Sequence, residues 1–443
     1  MGMSKTPQQQ RGDARTKIAE RSQVEMRFLS LDQWLDLGHR VRVVWQYVES
    51  LDLTELYQSI RATRHEVGRD AIDPRILFAL WLFATIEGQS SARRLDELTR
   101  RDIPYMWICG GVSVNYHRLS DFRQQHGELL ERVMTDSIAV LLHQGLINLK
   151  TVAQDGMRVR ASAGSGSFRS DASLEAALQE AEAHVEQVRQ QQDEDHDGGD
   201  QRRRAARERA ATEKQARIAA AREELKDIQA RYDRRSGTAR GKPRASTTDP
   251  EARRMKMGDG GTRPALNVQF ASDGDAQMIV SAAVTSQGSD AGLMKPMYDD
   301  VCQRYGVTPE AYLVDGGFAK KDDITHVEQQ GTKAYAPLYA EEKLLAQGQA
   351  PYAARPGESP HMTAYRQRMG TAEAKEIYQR RAAIAEFPNA DCRNRGLQQF
   401  RVRGRAKAKA QTFWHVLAYN FMRMRNLACP RRSLSYLEVV MGS

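Results

Sequence analysis

Between Leu174 and Val188 the apolar positions are Leu174, Leu178, Ala181, Val185 and Val188, stepping by four, three, four and three. Between Ile218 and Tyr232 they are Ile218, Ala221, Leu225, Ile228 and Tyr232, stepping by three, four, three and four. This alternation is a heptad seam, which helices bury by pairing along one stripe. Two seams joined by the turn-like run DEDHDGGDQ predict an antiparallel helical hairpin over residues 172–245. The charges agree with self-pairing. Residues 172–200 hold nine acids and one base, Arg189, whereas residues 202–244 hold fifteen Lys/Arg and six Asp/Glu. The arms attract each other, and their sum is nearly neutral.

The chain on either side of the hairpin follows two different periods. Residues 1–25 are polar and predict a disordered tail. Residues 26–150 predict a helical region. There LDQWLDLGHRVRVVWQYVESL carries apolar residues at three- and four-residue steps. In IDPRILFALWLFATIEG, Asp73 and Pro74 read as an N-cap and a first helical position ahead of a buried helix. From Thr151 the pattern changes. TVAQDGMRVRAS, PALNVQFASD and QMIVSAAVTSQG read as strands, DAGLMKPMYDDVCQRYG as a helix and AYLVDGGF as a strand. KKDDITHVEQQG then reads as a helix, TKAYAPL as a strand and TAEAKEIYQRRAAIAEFPNADCRNRG as a helix that Pro388 is expected to interrupt or kink. The hairpin falls between the first two strands. This order predicts a mixed α/β sheet with helices packed on its faces.

Charge points to a polyanionic partner. The net charge is +9, and residues 393–432 hold eleven Lys/Arg and no acid. Neutralising phosphates releases counterions, so such a stretch predicts nucleic-acid contact. Short, partly basic N-terminal helices are compatible with a helix-turn-helix-like DNA module. A nearly neutral hairpin predicts a spacer or subunit contact with only modest DNA affinity. No run of about 18 apolar residues predicts a membrane span, and the N-terminus lacks the apolar core of a signal peptide. Cys109, Cys302, Cys392 and Cys429 form no CxxC pair, which suggests neither a zinc site nor a disulfide framework and fits a reducing cytosol.

Two strand-like runs meet an Asp-Gly step, at Asp155 and at Asp315. Asp-Gly is a good turn, but two strands can also bring two carboxylates to one site. Four stretches decide between these readings. They are VNYHRLSDFRQQH, STTDPEARRMKMGDGGTRPALNVQF, YLVDGGFAKKDDI and IYQRRAAIAEFPNADCRNRGLQQFRVRGRAKAKAQTFWHVLAYNFMRM. In order and spacing the chain resembles a bacterial insertion-sequence transposase of the DDE class, over about residues 25–440. The resemblance implies a helical N-terminal DNA-binding domain (26–150) and an RNase H-like catalytic domain (151–171 and 246–428). The inserted hairpin interrupts that domain, and a short tail follows it (429–443).

The resemblance also assigns residues. Asp155, Asp315 and Glu386 match the three catalytic, metal-binding acids, with separations of 160 and 71 residues. Phosphodiester cleavage and strand transfer by in-line displacement suit two Mg²⁺ or Mn²⁺ ions held by carboxylates. Tyr378, Arg381 and Arg393 match basic and aromatic partners of the third acid. Arg393 stands seven residues after it, and Arg381 stands five before it, one residue off a related group's spacing. Arg395, Arg401, Arg403 and Arg405 are expected on the DNA backbone, and Trp414 and His415 in the core. Implied partners are double-stranded DNA, meaning element ends and target, and a second copy of the chain in a paired-end complex. The implied location is the bacterial cytoplasm, on the nucleoid.

Several acids compete with these. Asp273, Asp275 and Asp290 read as turn formers or caps, Asp322 and Asp323 as helix-start charges, and Glu373 and Glu376 as solvent-facing. Asp391 is the alternative third acid. Three activities stay open: an active transposase, a derived DNA-binding protein that has lost catalysis, and a nuclease without strand transfer.

Overall fold

The structure is a computed structural model that describes residues 22, 26, 28–60, 70–194, 201–233 and 242–428. The expected tails at 1–25 (Ser22 excepted) and 429–443 and the hairpin's turn lie outside the described residues.

Among the described residues eight helices come first: α1 (Leu31–Trp34), α2 (Arg40–Ser50), α3 (Thr54–Gln58), α4 (Pro74–Ile86), α5 (Ala92–Arg101), α6 (Ile103–Cys109), α7 (Tyr116–Gln125) and α8 (Gly127–His143). Helix α4 starts as its sequence predicts. The Asp73 carboxylate accepts from the Arg75 N–H at 2.8 Å, and Pro74 occupies the first turn, where an N–H would lack a partner anyway. Every residue of α4 from Ile76 to Ile86 is buried. A helix apolar on all sides needs cover on all sides. The C-terminal helix supplies part of it, with Trp414 edge-on to Phe78 at 4.9 Å between ring centroids.

The chain then alternates: β1 (Thr151–Arg160), β2 (Phe168–Arg169), α9 (Asp171–Glu194), α10 (Gln201–Asp233), β3 (Ala245–Ser246), β4 (Arg253–Lys256), β5 (Thr262–Asp273) and β6 (Ile279–Thr285). There follow α11 (Met294–Tyr305), β7 (Ala311–Leu313), α12 (Lys321–Gln329), β8 (Lys333–Tyr335), α13 (Glu341–Ala346), α14 (Pro360–Met369), α15 (Ala372–Asn394) and α16 (Arg405–Ala428). The main sheet runs β4-β5-β1-β7-β8, with β6 also paired to β5. Strand β5 is antiparallel to β1 and β6, whereas β7 and β8 run parallel to β1. This is the expected mixed α/β sheet, and its strand order is that of an RNase H-like fold.

The hairpin lies between β1 and β5. Leu174, Ala181, Ile218, Ala221 and Leu225 are buried along its seam, with Leu178 and Ile228 against them. Arg222–Glu175 and Arg189–Glu208 join the arms across exposed surface. Exposed pairs contribute about 0–1 kcal/mol each, whereas each buried Leu or Ile contributes about 2. Packing, rather than charge attraction, therefore holds the hairpin. Its ends are drawn together by a two-stranded ribbon, β2 with β3, pairing Phe168 with Ser246 and Arg169 with Ala245. Neither that ribbon nor β4 is expected from sequence.

Helix α15 corrects another expectation, for it runs through Pro388 unbroken. Its buried stripe is Ile384, Ala385, Pro388, Asn389 and Cys392. An internal proline costs about 3 kcal/mol, and burying this stripe on the sheet offsets it. Helix α16 packs on α4, α7, α8 and β6 together, so the N-terminal helices and the sheet share one continuous core. The Asn420 amide bonds both the N–H and the C=O of Ile279, which covers the edge of β6.

Candidate active site

The parallel pairing of β1 with β7 spans Thr151–Ala153 and Ala311–Leu313. Asp155 stands two residues beyond the last pair on one strand, and Asp315 two residues beyond it on the other. The two carboxylates thus share one offset beyond the end of the parallel pairing between adjacent strands, where β7 stops and a crevice can open. Only Asp315 ends a strand. Its Oδ1 accepts from the Gly317 N–H at 2.7 Å, starting a turn of 3₁₀ helix. Asp155 is mid-strand, opposite Phe270 of β5, so its Asp-Gly step is not a turn.

Gly156 is explained by space rather than by a turn. A Cβ there would lie 2.2 Å from the Gln269 amide nitrogen and 2.9 Å from Asp290 Oδ1. Those groups belong to a buried polar network on the opposite face of β1. Asp290 Oδ1 accepts from Asn267 and Gln269, and its Oδ2 accepts from Arg158 at 2.7 Å. Gln154 bonds Gln269 and accepts from the Tyr312 hydroxyl. With its oxygens spent there, Asp290 is a structural acceptor for this network.

On the catalytic face α15 covers Asp155. Its Oδ1 accepts from the Gly156 N–H and its Oδ2 from Asn389 Nδ2, both at 2.9 Å. Burial pushes the Asp155 carboxyl up to about 6, with Asp315's charge adding to it and the Gly156 N–H, Arg381 and Asn389 opposing it. Arg381 is the local cation. Its guanidinium is mostly buried, lies 6.0 Å over the Tyr378 ring and pairs with Glu386 at 3.0 Å. Burial likewise raises the Tyr378 hydroxyl, and Arg381 opposes it.

The structure thus brings Asp155, Asp315, Tyr378, Arg381 and Glu386 together, but Glu386 is exposed and turned onto Arg381. Among the described residues no three acids, histidines or cysteines gather closely enough to hold a metal. Glu386 is paired with Arg381 instead. Asn389 is absent from the sequence reading. The signal was its position three residues after Glu386, on the same face of a helix.

The other candidates separate into groups. Arg395 is committed to the protein: it pairs with Asp391 at 2.6 Å and donates to the Ile86 carbonyl at the end of α4. Asp391, the alternative third acid, is the partner in that contact. Arg405 pairs with Glu251 through both its backbone N–H and its guanidinium. Arg393 and Arg401 are exposed, and so is Arg403, which makes one long bond to the Ser162 carbonyl. Asp273 accepts the Asp275 and Ala276 N–H groups in the β5–β6 turn. Asp323 is buried and accepts from the Lys295 N–H, and Asp322 pairs with Lys320 at the surface. Trp414 and His415 are buried, as expected.

An RNase H-like sheet that carries acids at equal offsets beyond the paired segment of its adjacent central strands, with a third acid on a later helix, is the frame of a class of polynucleotide-processing enzymes. Comparison with known families makes the assignment specific. Residues 226–421 match a transposase DDE domain and residues 29–125 a transposase domain (DUF772), together about two thirds of the chain. The chain belongs to the DDE transposases, whose activity is DNA transposition. No curated protein and no solved structure matches it. No helix among the described residues is long and apolar enough to cross a membrane.

Proposed function

We propose that Asp155, Asp315 and Glu386 are the three carboxylates with which this transposase cuts the ends of its element and joins them to target DNA. The observation that carries this reading is the equal offset of Asp155 and Asp315 beyond the paired ends of β1 and β7. Asp155 lies upstream of the matched catalytic segment, so its role rests on that geometry. The donor chemistry fits a hard cation. Asp155 and Asp315 lie near enough for the charge of one to raise the carboxyl of the other, and the Asn389 Oδ1 is buried without a partner. Mg²⁺ and Mn²⁺ take such all-oxygen sets. When bound, a pair of these ions would stabilise charge on the attacking and leaving oxygens of the phosphodiester. Glu386 completes the set by turning from Arg381, whose guanidinium is then released toward a DNA phosphate, with Arg393, Arg401 and Arg403 extending the cationic surface. Arg395 and Arg405 have internal partners and contribute through them. Element ends brought together require two copies of the chain, acting on DNA in the bacterial cytoplasm.

Asp155→Asn, Asp315→Asn and Glu386→Gln are each expected to abolish cleavage of element ends in Mg²⁺ while gel-shift binding of those ends persists. Cleavage at the normal rate by the Glu386→Gln protein would place the third acid elsewhere. Neutralising Arg401 and Arg403 should flatten the plot of log K against log salt by about 0.9 per lost phosphate contact. An unchanged slope would remove them from the interface.

A further inference from the structure

We infer that Asn389 is a positioning residue of this site, one that fixes the first acid in its metal-ready orientation. The inference rests on the assignment of Asp155 as a ligand. Asp155 has two oxygens. The Gly156 N–H, part of its own strand, holds one, and the Asn389 amide, reaching across from α15, holds the other at 2.9 Å. A carboxylate gripped on one oxygen by its own backbone still rotates. A second donor from a different element removes that freedom. Asn389 is the only side chain among the described residues that hydrogen-bonds the Asp155 carboxylate.

The environment of Asn389 argues against a role in stability alone. The residue is 5% exposed, and its Oδ1 finds no donor. A buried amide with one end unpaired destabilises a fold relative to an apolar side chain of similar volume. The neighbours on its stripe, Ile384, Ala385, Pro388 and Cys392, show that this face otherwise buries apolar groups. A leucine would suit that stripe better, yet the chain carries an amide directed at the first acid. Keeping a locally unfavourable group where it touches a reactive one is the pattern expected of a functional constraint.

The position also couples two acids. Asn389 follows Glu386 by three residues, so both project from the same face of α15. Docking α15 onto β1 therefore sets Asp155 directly, through the amide, while Glu386, one turn earlier and exposed, pairs with Arg381. Helix and strand are held in register by one hydrogen bond at the place where register matters most.

The test uses the full chain and Mn²⁺ as the probe. Metal affinity is read by calorimetry and by the paramagnetic signal of free Mn²⁺, alongside thermal unfolding in chelator. Asn389→Leu is expected to unfold at the same temperature as the parent or higher, and to bind Mn²⁺ about 10-fold or more weakly, the usual effect of losing an outer-sphere partner. Asn389→Ala, which removes the amide without adding bulk, is the second variant should leucine overpack. It should show the same loss of affinity. Asp155→Asn is the control and should abolish tight Mn²⁺ binding. If the Asp155 variant loses Mn²⁺ while both Asn389 variants bind it within twofold of the parent, the inference is overturned and the site assignment survives. If the Asp155 variant binds Mn²⁺ normally, the site assignment itself fails. A lower unfolding temperature with unchanged Mn²⁺ affinity would give Asn389 a structural role only.

Discussion

Asp155 and Gly156 sit inside a ten-residue strand, paired across the sheet with Phe270 and Gln269. Asp315 and Gly316 lie where β7 has already stopped, and there the aspartate caps a turn. The dipeptide is the same, but the forces on it differ. At the second site the sequence-local explanation suffices: an aspartate accepts an N–H two residues on, and the exposed glycine next to it meets nothing. At the first site the glycine is demanded by Gln269 and Asp290, far away in sequence, which fill the space a side chain would need. A turn signal is thus reliable only where no other element approaches.

The largest expected effect in this comparison is Gly156→Ala. The new methyl must displace a glutamine that is buried and bonded to Asn267 and Asp290, so a loss of about 3 kcal/mol is expected, measured by chemical denaturation. A loss under about 0.5 kcal/mol would mean that the network repacks freely and that glycine is there for another reason.

Next comes Asp155→Asn, which should stabilise the metal-free protein. The folded carboxyl titrates near 6 and the unfolded one near 3.8, so ionisation penalises the folded state. The penalty is absent below about pH 4 and complete above about pH 6. The shift corresponds to roughly 3 kcal/mol, discounted to about 2 because the carboxylate is only partly shielded. Denaturation in chelator at pH 8 should therefore favour the variant, and the advantage should vanish near pH 4. Equal stability at both pH values would break the claim that burial strains this acid.

The smallest effects belong to the second dipeptide. Asp315→Asn keeps an N-cap acceptor, and Gly316→Ala adds a methyl to open space. Each should change stability by less than about 0.5 kcal/mol, while the first still abolishes cleavage. A large loss from Gly316→Ala would show that this glycine, too, is hemmed in.

The hairpin and the strand order were legible because each is written as a period, and a period survives without knowledge of neighbours. The place of Asp155 and Asp315 on adjacent strands was legible from the strand-like runs around them, whereas their grouping with Glu386 came from the family resemblance. What escaped was set by contacts between elements distant in the chain. Arg395 resembles any exposed base until Asp391 and the end of α4 are placed beside it. Pro388 resembles a helix breaker until the stripe around it is seen buried on the sheet. Asn389 carries no motif, and its importance lies wholly in the strand it touches. The ribbon of β2 and β3 is too short to show alternation.

That ribbon bears on how the sheet assembles. Strands β1 and β5 are neighbours in space, yet Arg160 and Thr262 are separated by 101 intervening residues. Closing a flexible loop of that length carries an entropic cost that grows with its logarithm. The hairpin folds on local contacts, and the ribbon fastens its base at Phe168 and Ser246. Only residues 161–167 and 247–261, including the short β4, then remain to be ordered between the two strands. The closure is about 1–2 kcal/mol cheaper than for an open chain of the full length. Kinetically, the sheet meets its insertion as a connection of roughly twenty residues, so the arms can lengthen or shorten by whole heptads with little change in the rate at which the strands find each other.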